Sequence, residues 1–151
     1  MDSLRVVANR QAVGWIRPEQ LPMAAADLLV DGHDFPTLRE LAGCSGREQC
    51  AELERLWRRA LDELGEAEPE QEDAERWALR DVAARLASGE IRSMGEVMAA
   101  VGGLDSAEGE FVRIVGEGCC DGCVEYWTPE QVRAWEAQAR AAAAVLVAEG
   151  R

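Results

Sequence analysis

Lysine is absent from this chain, and all 16 of its basic residues are arginine. That absence excludes Schiff-base and lysine-nucleophile chemistry. It also excludes a phosphate-binding loop of the G-K-[ST] type. Histidine occurs once, as His33, and beside five tryptophans there are only two phenylalanines and one tyrosine. No run of about 18 apolar residues is present, so no transmembrane helix is expected. The first residues, MDSLRVVANRQ, carry neither a basic region nor an apolar stretch, so no secretory signal is expected. The calcium-loop pattern with a central glycine and a closing glutamate is missing too.

What the chain has in excess is carboxylate. Its 151 residues hold 29 acidic side chains against the 16 arginines, a net charge of −13. Such a surface argues against nucleic-acid binding, which needs a basic face to neutralise phosphates. It disfavours anionic membranes for the same reason. The 25 alanines and 14 glycines, with arginine replacing lysine throughout, are what a GC-rich coding sequence produces, so a bacterial origin is the expectation. A cytoplasmic location is the expectation. There the five cysteines (Cys44, Cys50, Cys119, Cys120 and Cys123) would stay reduced, and their odd number fits a closed disulfide framework poorly.

The apolar pattern is helical almost throughout. In residues 51–64, Leu53, Leu56, Trp57, Ala60, Leu61 and Leu64 recur at the spacing of one helix face, and Gly65 follows as a stop. Thr128-Pro129-Glu130-Gln131 reads as an N-cap, a first-turn proline and a capping-box glutamine. Val132, Trp135, Ala139, Ala142, Ala143 and Leu146 then form a stripe, closed by Gly150. Further helices are expected over Ser3–Val13, from Pro18 to Gly32, over Pro36–Leu41 and Asp73–Ser88, and from Ser93 to Val101.

One stretch admits two readings. FVRIV (111–115) and VEYW (124–127) are β-prone runs flanking GEGCCDGC. They could pair as a short hairpin, although two strands alone are marginal. The preferred reading is a helix from Ser106 to Val115 followed by an irregular cysteine loop. The expected architecture is all-α: one compact bundle of about six to eight helices over residues 1–151, with a candidate hinge at 65–73.

Three constellations carry chemistry. Cys120 and Cys123 form a C-x-x-C in which Gly122 eases a tight turn, a geometry that suits zinc or a dithiol redox couple. A structural zinc needs four ligands, and Cys119, Cys120 and Cys123 would have to recruit a remote one such as His33. No strand–helix context of the thioredoxin kind surrounds the motif, and the plainer alternative is reduced cysteines near a core. His33 itself lies at a helix junction, in the sequence Asp31-Gly32-His33-Asp34, where a polar turn residue is commoner than a general base. Glu66, Glu68, Glu70, Glu72, Asp73 and Glu75 form an acidic run, read either as a solvated face or as a docking surface for a basic partner.

Trp57, Trp77 and Trp135 lie on apolar stripes, and burial of four of the five tryptophans is expected. No catalytic residue stands out. The expected function is therefore a non-enzymatic acidic interaction protein that binds a basic protein, in the manner of an immunity protein or inhibitor, without a cofactor. The alternative is a small zinc-binding or thiol-redox protein that uses the CCDGC cluster.

Overall fold

The computed structural model describes residues 2–118 and 120–150. Among them there are nine α-helices, one short 3-10 turn and no strand. The helices are α1 (Ser3–Ala12), α2 (Leu21–Val30), α3 (Pro36–Ala42), α4 (Cys50–Leu64), α5 (Gln71–Ala87), α6 (Met94–Gly102), α7 (Glu110–Gly116), α8 (Asp121–Val124) and α9 (Pro129–Glu149). The 3-10 turn, Pro18–Gln20, leads into α2. None of these helices is long and apolar enough to cross a membrane. The chain divides into two compact units, Met1–Ala74 and Glu75–Arg151, so the division falls in the first turn of α5.

In the first unit α4 is the central element. Leu53, Leu56, Trp57, Ala60 and Leu61 are all buried, as their spacing requires. They join Leu38 and Leu41 of α3, Leu21, Ala25 and Leu28 of α2, and Leu4 and Ala8 of α1 in one apolar core. Gly65 ends α4 in the left-handed conformation at φ +72°. Its N–H bonds to the Asp62 carbonyl and that of Glu66 to the Leu61 carbonyl, the double closure that a glycine makes without strain. Phe35 is extended because a proline follows it, and α3 then starts at Pro36. One N–H of that start with no partner inside the helix is met from α4: Glu63 accepts from the Thr37 N–H at 3.1 Å and from its hydroxyl at 2.6 Å.

The second unit buries Ala78, Leu79, Val82, Ala83 and Leu86 of α5, Val97 and Val101 of α6, Phe111, Ile114 and Val115 of α7, and Trp135, Ala139 and Ala143 of α9. α7 packs on α6 and on α9. The Arg140 guanidinium on α9 donates to the Leu86 carbonyl at 2.7 Å, at the end of α5, where the same carbonyl also accepts from the Gly89 N–H at 3.2 Å. Thr128 and Gln131 form the reciprocal capping box of α9. Its N–H···O distances are 2.8 and 3.2 Å.

The hairpin reading of residues 111–127 is corrected. FVRIV is helical because Phe111, Ile114 and Val115 fall on one face that α6 and α9 cover. Arg113 braces the same helix from outside, bonding Glu110 at 2.6 and 2.9 Å and Glu117 at 2.7 Å. Burial thus outweighs the β preference of valine and isoleucine. The helix begins at Glu110 rather than Ser106, after Gly109. Burial of the tryptophans is less complete than expected. Trp57 and Trp135 are buried, whereas Trp15, Trp77 and Trp127 are half-buried.

Candidate functional site

The acidic run begins where α4 stops. Gly65 turns the chain, residues 66–70 form an irregular link, and α5 starts at Gln71. Glu66 is half-buried and pairs with Arg5 of α1 at 3.5 Å. Glu68 pairs with Arg58 of α4 at 3.3 Å. Glu70, Glu72 and Asp73 are exposed, and the last two lie in the first turn of α5. Carboxylates there complement the positive end of the helix dipole. Leu4, Arg5 and Asn9 of α1 face this link across an open groove of about 590 Å³.

Glu75 stands apart from the other five. It is only 2% exposed, and its Oε2 accepts from the Ser106 N–H at 2.6 Å. A carboxylate enclosed in this way anchors the α6–α7 connection to α5 and offers no surface to a partner. The exposed carboxylates of the run are therefore Glu68, Glu70, Glu72 and Asp73, with Glu66 half-buried beside them, all in the first unit. That unit holds 16 carboxylates and eight arginines, a net charge of −8, while the second holds 13 and eight, a net of −5. Residues 60–74 contribute seven of those 16 carboxylates and no arginine.

Elsewhere carboxylates are held by specific bonds that lower their pKa. The Thr37 hydroxyl, and then its N–H, hold Glu63 below the usual range. Arg39 does the same for Asp34, and Arg113 for Glu110. Glu48 is lowered by the backbone N–H of Ser45. The Glu110–Arg113 pair sits at helical i,i+3 spacing, whereas the pairing of Glu63 carries no such mark. Thr37 and Glu63 are 26 residues apart, and Ser106 and Glu75 are 31 apart, so no local pattern reveals those pairings.

Of the proposed metal ligands, Cys119 lies outside the described residues. Cys120 and Cys123 are both exposed, and the Cys120 thiol donates to the Cys123 sulfur at 3.3 Å. His33 belongs to the first unit. Its Nε2 lies 3.0 Å from Asp2 Oδ1 and 3.3 Å from Ser3 Oγ, which ties the α2–α3 connection to the start of α1. Among the described residues no group of three or more histidine, cysteine, aspartate or glutamate side chains is placed to hold a metal ion. Cys44 and Cys50 also fall in the first unit, Cys44 half-buried and Cys50 exposed at the start of α4. Burial, and then the carboxylates of Glu48, Glu52 and Glu40, push the Cys44 thiol upward. No protein-family model, no curated protein and no solved structure matches this chain.

Proposed function

We propose that the chain is a non-enzymatic, acidic helical binding protein whose partner presents a basic protein surface, as an immunity protein or inhibitor would. The observation that carries this reading is the charge of residues 60–74, seven carboxylates without an arginine, within a unit of net −8. Glu70, Glu72 and Asp73 are exposed there, at the end of the link and in the first turn of α5. Clustered charge of one sign raises the encounter rate with a cationic surface, and the effect weakens as salt screens it. The ion pairs that Arg5 and Arg58 make with Glu66 and Glu68 leave the segment acidic, and exposed pairs of this kind are worth about 0–1 kcal/mol.

The test compares the wild-type chain with the triple variant Glu68→Gln, Glu70→Gln, Glu72→Gln as bait for host proteins, followed by stopped-flow association with whatever basic protein is retained. A partner kept by the wild type and lost by the variant is expected, with an association rate that falls about tenfold or more between low and high salt. Binding should survive replacing Cys119, Cys120 and Cys123 by serine. The same proteins retained by both chains, or a rate that ignores salt, would refute the reading.

A further inference from the structure

Two of the cysteines are brought together by backbone geometry. Cys120 immediately precedes α8, and its carbonyl accepts from the N–H of Cys123 at 3.0 Å and of Val124 at 3.1 Å. This closed turn sets residues 120 and 123 on one side, with their sulfurs 3.3 Å apart. Gly122 lies between them and puts no side chain in the way; even an added Cβ would only reach ordinary contact with the Cys120 sulfur, at 3.9 Å. Both cysteines are exposed at the surface.

The flanks of the turn are held by Trp135. That indole is buried and donates to the Ile114 carbonyl at 2.7 Å. Gly118 packs directly against its ring before the turn, and Trp127 meets it edge-on after the turn, at 5.4 Å between centroids and 80° between planes. The two sulfurs are adjacent, and a disulfide of about 2 Å requires only a small further approach.

We propose that Cys120 and Cys123 form a dithiol site that reacts with low-molecular-weight disulfides by thiol–disulfide exchange. The thiolate of one cysteine attacks a disulfide RSSR, forming a protein–S–SR bond and releasing RS⁻, which takes up a proton. The second thiol loses its proton and attacks the protein sulfur of that mixed disulfide. The Cys120–Cys123 disulfide forms as the second RS⁻ leaves, also to be protonated. The protein dithiol is oxidised by two electrons, and RSSR is reduced to two RSH. Because the second step is intramolecular between adjacent sulfurs, the mixed disulfide is consumed as fast as it forms. This site is independent of the acidic segment.

The experiment uses the whole reduced chain with glutathione disulfide as the probe. Acid quenching and alkylation with N-ethylmaleimide are followed by intact-mass measurement and peptide mapping. The wild type should lose two hydrogens and yield a bridged Cys120–Cys123 peptide. Cys120→Ser and Cys123→Ser should each instead hold a stable glutathione adduct on the remaining cysteine of the pair, with a far-ultraviolet circular dichroism spectrum like that of the wild type. A stable adduct on this pair in the wild type would overturn the proposal. So would a bridge that maps to Cys119, or an unmodified pair under conditions that fully modify Cys50.

Discussion

Replacing Glu75 by alanine tests whether one carboxylate of the acidic run is structural while its neighbours are not. Glu75 is 2% exposed and accepts from the Ser106 N–H at 2.6 Å. Removing it leaves that donor without its acceptor, and a hydrogen bond to a charged group is worth about 1.5–3 kcal/mol. The one lost methylene adds about 0.8 kcal/mol in buried apolar surface. Relief of the cost of enclosing a carboxylate offsets part of this. The expected loss is about 2–3 kcal/mol, or roughly 5–10 °C in melting temperature for a chain of this size. Glu70→Ala and Glu72→Ala, at exposed positions, should each stay within about 0.5 kcal/mol of the wild type. Glu75→Gln keeps an acceptor oxygen and should lose less than Glu75→Ala. Urea titration and thermal melts followed by far-ultraviolet circular dichroism read all four variants. If Glu75→Ala unfolds within about 0.5 kcal/mol of the wild type, as Glu70→Ala is expected to do, the structural role assigned to its carboxylate is wrong.

Gly118→Ala drives a Cβ into the Trp135 ring and brings it to 3.0 Å from the Met98 sulfur. It should cost about 1–3 kcal/mol in urea unfolding, and an unchanged midpoint would contradict the packing described. Thr128→Ala removes the side-chain cap of α9 and should cost about 1 kcal/mol, with faster amide hydrogen exchange at Gln131; unchanged exchange there would argue against the cap. Glu63 has a folded pKa held below its ordinary value of 4.5 by the Thr37 hydroxyl and N–H. A carboxyl depressed in this way contributes stability above its unfolded pKa and loses it as the pH falls through the folded one. The wild-type urea midpoint should therefore fall as the pH drops below 4.5, and Glu63→Gln should flatten that fall. Parallel curves for the two proteins would rule out the assignment.

The helices were legible wherever a periodic stripe met a capping signal. Residues 51–64 and 128–150 carry both, and α4 and α9 follow those boundaries closely. Periodicity reads well because burying an apolar stripe is what stabilises a helix in a fold, and the stripe is written locally. The segment 111–115 was ambiguous for a related reason. Five residues are too few to separate periods of 2 and 3.6, and their β-branched side chains favour the wrong one. The division after Ala74 lies one residue beyond the candidate hinge at 65–73, inside the first turn of α5, where the helical pattern is already continuous.

The candidate site divides the same way. The local crowding of carboxylates in 66–75 and the Cys120–Cys123 spacing are both visible in the chain as written. That Glu75 faces inward was not, because helix rotation and a donor 31 residues away decide it. The capping of α3 by Glu63, across 26 residues, was equally hidden. By itself the sequence determined the all-α class, the helix starts with strong caps and an acidity concentrated in an arginine-free stretch, because those depend on near neighbours. Only the tertiary structure decided which carboxylates are solvated and which are held, and whether FVRIV coils or extends. Each of those outcomes depends on burial and on hydrogen-bond partners, some of them far along the chain, and such pairings exist only once the chain has folded.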